Sequence, residues 1–271
     1  MFPTGQNYLS CLSTAHKNFG VLPNFWVSPG YWHYAGWKPI QVEANFWSIE
    51  DEAHGLMLPT INAEGQIHPD LPFMASLIHQ PINDQSTQYS LFDANVVYNH
   101  IDSFKTLSVG HLWKPARKAI SHARKELKMT PGEELRLSPY DPHSATMQNW
   151  VKGWLADFSV THPLVYDPDC MVEMCLESSL AFVVYLRSQP LGLIVYDFNA
   201  YAINFRYCLV QDGIPGLSEY VRVLFRIKAN DSCLGVRTTR INDGGFLNNS
   251  GLEKFKRKLN PTHVYNLWSK T

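Results

Sequence analysis

Hydrophobic residues in the second half of the chain keep two periods, and the switches between them lay out an order of elements. Trp113, Ala116, Ile120, Ala123 and Leu127 recur at three- and four-residue intervals, which predicts a helix stopped by Pro131-Gly132. Leu135 to Tyr140 reads as a strand. Met147, Trp150, Val151, Trp154, Leu155 and Phe158 then share one helical stripe, with Asp141, Ser144 or Thr146 available as its cap. Three strands follow: Leu180 to Arg187, Leu191 to Phe198 across the turn Ser188-Gln189-Pro190, and Tyr201 to Val210, an expected antiparallel meander. Leu217, Tyr220, Val221, Leu224 and Phe225 predict a helix over 217–229. Leu234 to Ile241 reads as a strand, Gly251 to Leu259 as a short helix with Leu252, Phe255 and Leu259 inward, and His263 to Trp268 as a last strand.

The first 110 residues are less regular. They read as short strands and loops broken by Pro and Gly, with aromatic clusters at Phe25-Trp26, Tyr31-Trp32-His33-Tyr34 and Phe46-Trp47. Asn45 to Ile49 and Leu56 to Pro59 predict a hairpin around Glu50 to Gly55, and Leu71 to His79 a short helix. There is no evident internal repeat or low-complexity tract.

Composition narrows the classes. With 271 residues, 45% hydrophobic and 13% aromatic, the chain can bury one large core or two modest ones. It has no apolar run of membrane-spanning length, and Met1 to Gln6 is not a basic region followed by an apolar one, so neither a membrane span nor a secretion signal is expected. Five scattered cysteines (Cys11, Cys170, Cys175, Cys208, Cys233) form no CxxC pair, and His68, His79, His100, His111 and His122 lack metal spacing. The expectation is therefore a cytoplasmic protein with no metal site. A net charge of −1 hides two basic stretches, 114–128 and 254–258.

The chemistry-bearing candidate is the junction where Tyr207-Cys208-Leu209-Val210 runs into Gln211-Asp212-Gly213-Ile214-Pro215-Gly216 and then a helix beginning at Leu217-Ser218. A glycine-containing turn before a helix N-terminus offers backbone N–H groups and the positive end of a dipole to an anion, so a phosphate-bearing ligand fits it. The plainer alternative is a Pro-Gly turn that only ends a strand. A second candidate is Asn242-Asp243-Gly244-Gly245 with the basic run of Lys254, Lys256 and Lys258, expected to contact phosphate; a solvated charged face is the competing reading.

Strand, helix, three-stranded meander, loop, helix, strand, helix, strand is the order of the Gcn5-related N-acyltransferase fold. Asp212 to Tyr220, Arg240-Ile241-Asn242-Asp243-Gly244-Gly245 and Gly251 to Pro261 resemble the C-terminal domain family of phosphatidylglycerol lysyltransferases, which is similar in turn to the peptidoglycan-bridge aminoacyltransferases. The resemblance covers roughly 130–271 and implies an α+β fold, a mixed sheet flanked by helices, in two tandem lobes. Those lobes would be a degenerate N-terminal one (1–110), a connecting basic helix (111–130) and a C-terminal one (131–271) holding the donor site. It implies transfer of an acyl or aminoacyl group from acyl-CoA or aminoacyl-tRNA to an amine or hydroxyl. The loop departs from the acyl-CoA pattern Gln/Arg-x-x-Gly-x-Gly/Ala: Gln211 stands two before Gly213, and Pro215 removes a donor N–H.

In acyltransferases of this fold the third meander strand splays from the next strand and a backbone N–H in the gap polarises the carbonyl, which places the centre here near Arg206 to Val210. The candidate proton carriers are then Tyr207, Asp212, Tyr220 and Asp243, with Gln211, Gly213, Gly216, Leu217, Ser218, Asn242, Gly244 and Gly245 at the donor and Arg240, Lys254, Lys256 and Lys258 at its phosphates. The acceptor is expected to be soluble. Two alternatives stay open: a nucleic-acid-modifying acyltransferase holding tRNA or DNA on its basic helices, and a binding module that kept the fold without the chemistry.

Overall fold

The computed structural model describes residues 3–19, 32–33, 35–76, 89–161, 180–198, 202–229, 240–245 and 249–270. Phe25-Trp26, Cys170, Cys175, Cys233 and most of the strand expected at Leu234 to Ile241 lie outside them. In chain order the elements are α1 (Pro3–Phe19), β1 (Lys38–Glu43), β2 (Phe46–Asp51), β3 (Gly55–Leu56), β4 (Ile61–Asn62), β5 (Phe73–Ser76), β6 (Tyr89–Asn99), a 3-10 turn (Phe104–Ser108), α2 (Lys114–Glu126), β7 (Arg136–Pro139) and α3 (Ala145–Thr161). They continue with β8 (Leu180–Leu186), β9 (Gln189–Phe198), β10 (Ile203–Val210), α4 (Leu217–Lys228), β11 (Arg240–Asn242), α5 (Ser250–Arg257) and β12 (His263–Lys270). Contacts divide the chain into two compact units: residues 1–97 with 243–252 and 263–271, and residues 98–242 with 253–262.

The first unit contains an element the hydrophobic pattern did not announce. α1 buries Tyr8, Cys11, Leu12 and Ala15, a stripe at i, i+3, i+4 and i+7, against Trp37, Ile49, Leu58 and Ile61. Thr4, Gly5, Asn7, Ser10, Ser13, Thr14 and Asn18 elsewhere on it are weak helix formers, so tertiary packing rather than propensity holds it. The expected hairpin is present, with β2 antiparallel to β3 through Glu50–Leu56 and Asp51–Gly55, and β1 and β4 pair with the same β2. The helix expected over Leu71 to His79 is instead the strand β5 from Phe73 to Ser76; residues 77–79 lie outside the described ones. β5 pairs antiparallel with β12 at Trp268–Ser76 and Lys270–Phe73. That partner lies nearly 200 positions away in the chain, where no local period can reveal it. β12 pairs on its other edge with β6, from His263–Val97 to Lys270–Tyr89.

In the second unit the expected meander is observed: β8, β9 and β10 are antiparallel neighbours, β7 adds to β8 and β11 to β10, giving the order β11-β10-β9-β8-β7. α4 lies on β10, and its Phe225 ring stands among Phe182, Tyr196 and Phe205 of the sheet at 6.3, 5.2 and 4.6 Å. α2 packs on α4 as its pattern demands, burying Ala116, Ile120 and Ala123. Gly216 sets how near the two helices come: a Cβ built there would stand 2.0 Å from the Ala119 carbonyl oxygen. The α4 end is tied by Arg226, 2% exposed, whose Nε donates to Asn99 O (2.9 Å) and Nη1 to Leu259 O (2.6 Å) while the guanidinium covers the Tyr98 and Trp113 rings at 4.7 and 5.1 Å. A buried guanidinium is tolerable only with donors satisfied in this way.

Candidate active site

β10 and β11 run parallel and, among the described residues, pair only at Ile203–Ile241 and Asn204–Asn242, while β10 continues to Val210. A bulge interrupts the other edge between Phe205 and Tyr207, so Arg206 has no register partner on β9. The strand is therefore bent at the start of the segment Arg206 to Val210, where the resemblance leads one to expect the reaction centre, and bulges of this kind re-aim side chains.

The loop that follows is an exposed turn leading into the α4 N-terminus. Gln211 N–H is used inside the fold, donating to Leu191 O at 2.8 Å, and Leu217 N–H donates to Ile214 O at 3.2 Å. The N–H groups of Gly213, Ile214, Gly216 and Ser218 have no hydrogen-bond partner among the described residues. Gly213 and Gly216 both hold positive φ, +75° and +84°, for different reasons. A Cβ on Gly213 would meet nothing within 4 Å, so this glycine serves the turn and the open side of the loop, whereas Gly216 serves its approach to Ala119. Leu217 is fully buried and contributes packing.

One turn further along α4 stands Arg222, which the sequence reading passed over. Its Nη1 donates to Ser218 Oγ at 2.5 Å, and its guanidinium lies 5.8 Å from the Phe205 ring of β10 and 5.0 Å from the Phe255 ring of α5. A cation is thus held on the loop's own serine beside the strand that bends. The signal for it was Arg222 interrupting an otherwise apolar stretch of α4, four residues after Ser218. Lys258 Nζ is 3.4 Å from Glu219 Oε1, in the first turn of α4, so its charge answers a carboxylate already there. Lys254 is exposed; Lys256, expected to face solvent or a polyanion, is only 5% exposed. α5 is too short and too closely packed to keep all its cations on one outer face.

Tyr220 stands apart from this junction. Tyr220 is 1% exposed, its ring meets Phe104 edge-on at 5.7 Å, and its hydroxyl accepts from Arg124 Nη1 at 3.3 Å. Burial raises its pKa above the ordinary phenol value. Tyr220 and Arg222 are two residues apart, about 200° around the helix, so they occupy opposite faces of α4. On the Tyr220 side lies a cavity of about 420 Å³ bounded by Leu107, Arg117, Ile120, Arg124 and Tyr220. Its arginines already donate to backbone carbonyls, Arg117 to Leu107 and Gly110 and Arg124 to Glu133 and Thr130. Tyr207, half-buried, directly follows the bulge, and Asp212 is exposed in the turn. Arg240 is exposed at the start of β11, where Asn242 is buried.

Asp243, Gly244 and Gly245 belong to the first unit. Asp243 N–H donates to Val96 O at 2.9 Å and Gly244 O accepts from Val96 N–H at 3.0 Å, so this stretch is strand-like backbone against β6. The absent side chain of Gly245 makes room for Asp93, whose Oδ2 would lie 1.7 Å from a Cβ there. Among the described residues no group of three or more His, Cys, Asp or Glu side chains is placed to hold a metal, and no helix is long and apolar enough to cross a membrane.

No protein-family model matches the sequence, and no curated protein does. Solved structures do. A conserved protein of unknown function from Bacteroides thetaiotaomicron superposes with a TM-score of 0.65 at 11% identity, over 97% of both chains. L-PGS from Bacillus licheniformis gives 0.58 at 12% identity over 96% of this chain and 90% of its own, and FemX gives 0.59 at 7% identity over 99% and 96%. At these identities the likeness is one of backbone: this chain has the mixed α+β fold shared by L-PGS and FemX, along nearly its whole length.

Proposed function

We propose that the protein is an acyl- or aminoacyltransferase, moving its group from a phosphate-bearing donor, acyl-CoA or aminoacyl-tRNA, to an amine or hydroxyl. The observation that carries this reading is the junction of a β-strand outrunning its parallel partner with a loop of unused amides at a helix N-terminus. The loop amides and Arg222 would hold the donor's phosphate, and the carrier would run back along β10 so that the acyl carbonyl meets backbone N–H near the bulge. The acceptor nitrogen or oxygen attacks the carbonyl carbon and loses its proton, while the carbon–sulfur or carbon–oxygen bond to the carrier breaks and the leaving atom takes a proton. Tyr207 and Asp212 are the side chains nearest in sequence to that step; the position of Tyr220 argues against it as a shuttle. Fold kinship with L-PGS and FemX supports the same chemistry. In this reading 131–271 is the catalytic lobe, 111–130 a connecting helix and 1–110 a degenerate lobe.

The experiment is thermal melting with CoA, acyl-CoAs and charged tRNA, followed by turnover with the donor that stabilises. Arg222→Met and Gly213→Val should each weaken donor affinity about tenfold or more, while leaving the fold assembled. No stabilisation by any donor would refute the proposal, and stabilisation without turnover would leave a binding module.

A further inference from the structure

We infer that the loop at 108–113 is a docking point for an anionic membrane surface. Four large apolar side chains among the described residues are more than half exposed, and two of them sit three residues apart in this loop: Val109 at 74% and Leu112 at 71%. Scattered exposed apolars are ordinary, but these are displayed by a braced turn. Leu107, 3% exposed, anchors one end, and Trp113, under the Arg226 guanidinium, anchors the other. Gly110 turns the chain at φ +85°, and Arg117 Nη1 donates to the carbonyls of both Leu107 and Gly110, at 2.5 and 3.1 Å. The tip is preorganised to present its apolar side chains outward, so inserting them costs little ordering.

The charge around the tip selects the partner. From Ser103 to Lys128 the chain carries seven Lys or Arg residues and the single acid Glu126, in a protein whose net charge is −1. Lys105, Lys114, Lys118, Lys125 and Lys128 are all exposed. On α2, Lys114, Lys118 and Lys125 fall on the side opposite the buried Ala116, Ile120 and Ala123. An apolar point within a field of lysines matches the interface of a bilayer containing anionic lipid, where short apolar insertion and headgroup attraction add. A nucleic acid would use the lysines but has no use for Val109 and Leu112, and of the loop's two aromatic rings Trp113 is held under the Arg226 guanidinium, which leaves His111 alone exposed for a base to stack on. The inference is independent of the donor site, since it uses neither the 211–218 loop nor Arg222.

The test is co-sedimentation of the full chain with phosphatidylcholine vesicles, with and without phosphatidylglycerol, beside a tRNA gel shift. Binding should require phosphatidylglycerol and weaken with salt. Val109→Ser with Leu112→Ser should lower vesicle affinity about tenfold while leaving thermal melting unchanged, because both side chains are exposed. Lys114→Gln with Lys118→Gln should lower it by a similar factor. The inference is overturned if anionic vesicles are not bound at low ionic strength, if the apolar double variant binds them as the parent does, or if the lysines prove to serve tRNA binding alone.

Discussion

Two glycines in one loop, both at positive φ, should respond very differently to gaining a methyl group, and the contrast tests the description of the site. At Gly213 an alanine meets nothing within 4 Å, so its cost is the strain of a left-handed L-residue, about 1–2 kcal/mol. At Gly216 the same strain is joined by contact with backbone: the new Cβ would stand 2.0, 2.6 and 3.0 Å from the carbonyl oxygen, carbonyl carbon and Cα of Ala119. No rotamer relieves a backbone collision, so α2 and α4 must move apart around Ile120 and Tyr220, at a further cost of about 1–3 kcal/mol. The entropy each alanine removes from the unfolded chain is the same in both and cancels. Urea denaturation should therefore place Gly216→Ala about 1–3 kcal/mol below Gly213→Ala, and melting should separate them by roughly 2–12 °C. Equal stabilities would refute the assignment of Gly216 to helix packing. Donor affinity should divide the other way: Gly213→Val, on the open side of the loop, is the substitution that reports on the ligand, whereas valine at Gly216 should damage the fold first.

Arg226→Lys keeps the charge but cannot reach the Asn99 and Leu259 carbonyls together, and should cost about 2–4 kcal/mol in denaturant titration; a neutral result would mean those bonds are dispensable. Tyr220→Phe should leave kcat within about threefold, against the hundredfold or greater fall expected of a proton shuttle, while modestly lowering the melting temperature. The hydrogen bonds from Arg187, at 2.8 and 3.1 Å, hold the Glu133 carboxyl below the usual carboxylate range. A depressed folded-state pKa adds stability above the ordinary Glu value of about 4.3 that is lost as pH falls through the folded value. The deficit of Glu133→Gln should thus be visible at neutral pH and vanish in acid; a deficit that persisted there would show that the ion pair is not its source.

What the sequence determined by itself were the elements with a strong local period, chiefly in the second half of the chain; β1 was not among them, although its partner β2 follows it directly. The stripe from Ala116 to Ala123, the meander of β8 to β10 and the junction at 211–217 were all legible, because alternation, helical period and Gly/Pro turns are local signals. Tertiary structure decided the rest. α1 was hidden because its stripe of Tyr8, Cys11, Leu12 and Ala15 is flanked by weak helix formers, and β5 because the strand that pairs with it is β12. Within the site, residue type alone could not separate Gly213 from Gly216, or a buried Tyr220 from an available one. It also could not single out Arg222, whose place is set by Ser218, Phe205 and Phe255 arriving from three different elements. The backbone turn could be read from composition, but which side of it faces a ligand depends on what packs behind it.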